Sequence, residues 1–155
     1  MKNSFSAIFV MTFIAITQSA CTYSQNSTSS AVDTSVLVSA APANAELFII
    51  EPANGAIVSS PVTVKFGLNN MAVVPAGDNT EHSGHHHILI DLNELPDMTL
   101  PLPANDNVVH FGAAQTETEL ELAPGQHTLQ LLLGNYLHIP HNPPVISETI
   151  TITVQ

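Results

Sequence analysis

Basic side chains are almost missing from this 155-residue chain: it has two, Lys2 and Lys65, against thirteen carboxylates and eight histidines. Removing an N-terminal export signal leaves Lys65 alone against those thirteen, a net charge near −12 with the histidines neutral. Such a surface repels nucleic acid and anionic headgroups, which excludes both as partners, and attracts cations. Cysteine is equally scarce. Cys21 is the only one, so no intramolecular disulfide forms and no thiolate is available deeper in the chain. Helix signals are nearly absent, because eleven prolines and many β-branched residues break any long period of 3.6. There is no Gly-x-Ser-x-Gly elbow, phosphate-cradling loop or His-Glu-x-x-His helix, and the chain is read as not an enzyme.

The N-terminal segment carries targeting information. Lys2 gives a short positive start, residues 7–16 form an apolar core too short to span a bilayer comfortably, and Ser19-Ala20 places small residues before Cys21. This resembles the lipobox of bacterial lipoproteins, with Gln18 departing from its usual aliphatic residue. Residues 1–20 are therefore expected to be a lipoprotein-type signal peptide, with Cys21 lipidated. The protein would be exported, periplasmic and lipid-anchored to the outer membrane, touching the membrane only through that lipid; cleavage without lipidation is the alternative. Residues 21–45 are rich in Ser, Thr, Asn and Ala and read as a flexible tether. Residues 46–155 make one domain, long enough for a core without staples.

Period-two alternation runs through that domain. Val62, Val64, Phe66 and Leu68 face one way, and Thr63, Lys65 and Gly67 the other. His127, Leu129, Leu131 and Leu133 alternate with Gln126, Thr128, Gln130 and an anomalous Leu132. Ile150, Ile152 and Val154 alternate with threonines, and Glu117, Glu119 and Glu121 share a face that reads as solvated surface. Asn54-Gly55, Pro124-Gly125 and Pro143-Pro144 supply turns between runs. The pattern predicts an all-β, immunoglobulin-like antiparallel β-sandwich of about seven strands. They fall near 46–51, 61–68, 86–92, an irregular stretch within 98–111, 116–122, 126–133 and 145–154.

What the chain has in excess is histidine. His85, His86 and His87 are consecutive and open the apolar run Ile88-Leu89-Ile90. On a strand, His85 and His87 share a face with Cα atoms roughly 6.6 Å apart, while His86 points the other way, toward Ile88 and Ile90. If strands alternate in direction, the connections carrying His82, His110, His138 and His141 lie at the same end of the sandwich as these three. Only His127 falls at the other end. Imidazole is the commonest protein metal ligand. The expected metal ligands are His85, His87, His138, His141 and His110, with Met71 beyond the second strand as a thioether that would favour Cu(I). An all-imidazole set suits Zn(II) or Cu(II). The competing reading has these histidines bracing loops through backbone hydrogen bonds.

Several segments together resemble one family. They are residues 61–68, residues 84–91, His110-Phe111-Gly112 with Gln115-Thr116-Glu117, residues 124–131 and His138-Ile139-Pro140-His141-Asn142-Pro143-Pro144. The combination resembles the exported bacterial family called domain of unknown function 4399, which implies no activity to carry over. Residues 52–66 are more distantly similar to periplasmic copper-resistance sandwich domains. The expected function is a cell-envelope module that binds a metal ion, copper ahead of zinc, through its histidine cluster. The alternative is a non-catalytic structural or interaction domain with another envelope protein as partner, for which the apolar Met71-Ala72-Val73-Val74 and Leu100-Pro101-Leu102 argue.

Overall fold

Residues 37–155 are described by the computed structural model; the expected signal peptide, the lipidation at Cys21 and residues 21–36 of the expected tether lie outside them. Nine strands follow one another in these residues: β1 (Glu46–Glu51), β2 (Ile57–Val58), β3 (Val62–Asn69), β4 (Ala72–Val73), β5 (Ser83–Ile90), β6 (Val108–Phe111), β7 (Glu117–Leu120), β8 (Gly125–Gly134) and β9 (Ile150–Val154). They build a three-stranded sheet in the order β1-β3-β7 and a six-stranded sheet in the order β2-β9-β8-β5-β4, with β6 also paired to β5. The fold is an all-β sandwich.

Its main core lies between the sheets. Leu47, Val62, Val64, Phe66 and Leu120 from the smaller sheet meet Ile88, Ile90, Leu129, Leu131, Leu133, Ile152 and Val154 from the larger. These are the inward positions of the alternating runs, as period-two geometry requires. The solvated face of β7 exposes Glu117 and Glu119, and Lys65 sits in register with Glu51 on one neighbouring strand and Glu117 on the other. The Lys65 ammonium is 3.0 Å from Glu51 Oε2.

Three features depart from the alternation. The strand expected from residue 86 begins at Ser83, because β4 adds in parallel with Ala72 opposite Ser83 and Val73 opposite Gly84. The apolar residues at 71–74 are thereby used internally: Met71 packs on the core and Val74 N–H donates to Gly84 C=O at 2.9 Å. The expected last strand is regular only over Ile150–Val154, with Ile146 forming a single bridge to Leu132. Residues 37–45, assigned to the tether by composition, run against the domain. Ala40 bridges Asn142, whose N–H donates to Ser39 C=O at 3.0 Å.

The outer face of the larger sheet is covered too. Leu89, Leu102, Val108 and Leu132 form a second buried cluster, flanked by Leu92, Met98 and Ile146. The segment between β5 and β6 carries Pro96, Pro101 and Pro103, which cannot continue a ladder. It crosses this face instead, with Leu102 N–H donating to His138 C=O at 2.9 Å. Leu132, anomalous as an outward residue, is an inward residue of this second core. All eight residues of β5 are buried for the same reason.

Candidate metal centre

Alternation along β5 sends His86, Ile88 and Ile90 to the inner face and His85, His87 and Leu89 to the outer one. His86 packs its ring against Phe66, centroids 5.0 Å apart, and pairs with Phe111 across the ladder. His87 lies opposite His110 of β6 on one side and Leu132 of β8 on the other. His85 lies opposite Gly134, where no side chain competes for space. The cluster thus occupies the outer face of the larger sheet next to the second core. Strand direction alone predicts only that these histidines share one end of the sandwich.

The segment after β8 delivers another imidazole. Asn135 is buried and organises it: its Oδ1 accepts from Leu137 N–H at 2.9 Å and Ile139 N–H at 3.1 Å, while Nδ2 donates to Leu37 C=O at 2.8 Å. His138 N–H closes the turn on Asn135 C=O at 2.8 Å. His138 itself has φ of 66°, a left-handed conformation that a side chain bearing Cβ adopts at a cost. Strain of this kind collects at functional sites.

Four rings come together. His85 is 5.0 Å from His87, 4.9 Å from His110 and 4.9 Å from His138, centroid to centroid. His110 is 4.7 Å from His138 and 5.1 Å from His87, and His87 is 6.1 Å from His138. One ring nitrogen from each of His85, His110 and His138 lies within 4.8 Å of the others. Both nitrogens of His85 and of His87, and Nε2 of His110, are buried without a hydrogen-bond partner, as are both nitrogens of His86 on the inner face. Buried polar groups are nearly always paired, and an orphan costs about 1–3 kcal/mol.

Burial and mutual repulsion favour the neutral form of His85, His87 and His110. Burial, then repulsion from His138 and His110, lowers His85 to about 4. Burial, then repulsion from His85 and His110, lowers His87 to about 3. Burial and His138 also lower His110. A neutral imidazole keeps one lone-pair nitrogen, which is the form that binds metal.

The other expected ligands are placed differently. His141 is buried with Nε2 3.1 Å from Ser83 C=O and Nδ1 3.4 Å from Leu133 C=O, bracing the start of β5 against the end of β8. Met71 packs on the inner core, on the other side of the sheet from the four rings. His82 is exposed, its Nε2 3.8 Å from Glu81. His127 stands apart, bound to Asp91 at 2.7 Å and Ala123 C=O at 2.9 Å.

Sequence reasoning passed over the residues that make room. An ideal Cβ on Gly134 would lie 2.7 Å from His87 Cε1 and 3.2 Å from its Nδ1. One on Gly112 would lie 2.8 Å from His110 Nε2, and one on Gly84 3.0 Å from His141 Cε1. Glycines inside or beside strands, where no turn requires them, are the signal that could have revealed close packing by an imidazole.

The family model for domain of unknown function DUF4399 matches residues 64–155. The chain belongs to the DUF4399 family. No curated protein and no solved structure matches it. The match begins inside β3 and spans the positions of all four converging histidines, Asn135 and the three glycines.

Proposed function

We propose that this DUF4399 domain binds one transition-metal ion in the cell envelope through His85, His110 and His138, held on an exported, lipid-anchored chain. The observation that carries the reading is the meeting of three imidazoles from β5, β6 and the segment after β8 at a place where buried ring nitrogens have no other partner. Bonds of about 2.0–2.1 Å to a tetrahedral ion set ligand nitrogens about 3.4 Å apart. The 4.8 Å span is wider than that, and small rotations about the imidazole side-chain bonds close it. Imidazole donors suit Zn(II) or Cu(II), and the thioether of Met71, on the inner core, does not argue for Cu(I). The acidic surface attracts such cations.

Loop bracing accounts for His141 and His127, whose ring nitrogens face carbonyl or carboxylate oxygens. It does not account for His85 or His87. The test is to load the untagged chain from residue 22 onward with Cu(I), Cu(II) or Zn(II), dialyse, and count ions. One retained ion is expected; His85→Ala should lose it and His127→Ala should keep it. Retention of no ion in any state would overturn the reading.

A further inference from the structure

We propose that His87 is a fourth ligand and that the centre is a closed, tetrahedral four-imidazole site. This rests on the metal-binding reading above and adds a coordination number, an ion and a role.

The six centroid separations among His85, His87, His110 and His138 span 4.7–6.1 Å. A tetrahedron with edges of about 5 Å has its vertices about 3.1 Å from its centre. An imidazole bound at about 2.0–2.1 Å has its ring centroid about 3.2 Å from the ion, so the ring spacing matches a four-imidazole shell. The mutually close nitrogens belong to His85, His110 and His138, and rotation about the His87 side-chain bonds brings its nitrogen to them. The four rings come from the middle of β5 (twice), from β6 and from the connection after β8, so they approach from different directions.

His87 has no other employment. It is fully buried on the outer face, neither ring nitrogen makes a hydrogen bond of good geometry, and the rings of His85, His110 and His138 stand 5.0, 5.1 and 6.1 Å from its own. Its place is reserved by Gly134, where any Cβ would collide with the imidazole edge that carries Nδ1. An apolar residue at position 87 would extend the Leu89–Leu132–Val108 core without burying orphaned nitrogens. His86 bears the same orphaned nitrogens without such neighbours; at position 87 three further imidazoles stand beside them, and an ion shared among the four rings would take one.

Coordination number bears on role. Three protein ligands leave a position for water or substrate, whereas four close the site and give a structural or holding centre. A tetrahedral cage also favours Zn(II), which has no preferred geometry of its own, over Cu(II), which prefers a square-planar arrangement. The ion would clamp β5, β6 and the Asn135–His138 turn together over the outer face.

X-ray absorption on the zinc-loaded wild-type chain tests this without any substitution. Four imidazoles at about 2.0 Å and no oxygen ligand are expected. Three imidazoles with an oxygen would overturn the fourth ligand while leaving the metal site intact. Absence of bound zinc would overturn the tetrahedral zinc centre, and failure to retain copper as well would overturn the metal reading beneath it. Two variants add an independent readout with Co(II) as the probe. Wild type should show intense tetrahedral ligand-field bands. His87→Ala and Gly134→Ala, the second of which keeps every imidazole, should weaken those bands and lower affinity about 10–100-fold. Unchanged bands and affinity in whichever variant is folded would overturn the proposal.

Discussion

His87 and His110 are directly paired across β5 and β6, their ring centroids 5.1 Å apart, and three of their four ring nitrogens are buried without a hydrogen-bond partner. Cross-strand pairs normally stabilise a sheet by packing or by opposite charge. Two neutral imidazoles with idle lone pairs do neither. The pair makes sense when a cation lies between it and the rings of His85 and His138.

Metal removal should therefore destabilise the domain. An ion present at about 100 times its Kd adds about 2.7 kcal/mol. For a domain of this size that raises Tm by about 10 °C or more. Calorimetry of the zinc-loaded chain before and after treatment with a strong chelator checks this. Equal melting of the two forms would contradict it.

Asn135→Ala should weaken both the fold and the site. It leaves the buried N–H of Ile139 and the N–H of Leu137 without an acceptor and releases Leu37 C=O. A loss of about 2–4 kcal/mol is expected from denaturant unfolding. Metal titration of the folded fraction should show lower affinity, because the turn that presents His138 loses its organiser.

His86→Leu should behave in the opposite way. Both ring nitrogens of His86 are buried without a partner, and its ring faces Phe66 on the inner side of the sheet. An apolar side chain of similar volume removes the desolvation penalty. Equal or higher Tm with unchanged metal stoichiometry is expected; loss of the ion would show that His86 takes part in the centre.

At the other end of the domain, His127 and Asp91 give a pH-dependent latch. The hydrogen bond to Asp91, then that to Ala123 C=O, raises His127 above its ordinary 6.5. For Asp91, burial acts to raise the pKa, but the Thr128 N–H and His127 outweigh it and the carboxyl titrates below 3.8. Stability from His127 is thus complete below about pH 6.5 and fades as pH rises through the raised value, while that from Asp91 is present above 3.8 and fades in stronger acid. The Tm gap between wild type and His127→Gln should be widest between about pH 4 and 6.5 and shrink toward pH 9. A gap independent of pH would exclude a charged latch.

Much of the inner core was legible in the sequence. The runs 62–68, 126–133 and 150–154 alternate because one face meets the core and the other meets water, and a strand side-chain period of two makes that visible. The same period places His85 with His87 and turns His86 away. The outer core was not legible, because Leu89, Leu132 and Leu102 look like breaks in a pattern until a proline-rich segment is laid over them. Nor does any local rule separate His138, held in the left-handed region beside Asn135, from His141, whose ring lies between the carbonyls of Ser83 and Leu133.

By itself the sequence determined the all-β class, the acidic surface, the family and the shared face of His85 and His87, since these follow from composition, motif and a two-residue period. Only the tertiary structure decided that His110 and His138, distant in the chain, join them on the outer face of the larger sheet. Register across β5, β6 and β8 and the space left by Gly134 and Gly112 bring those rings together. Such convergence depends on which strands pair and which side chains are missing opposite, and neither leaves a period in the sequence.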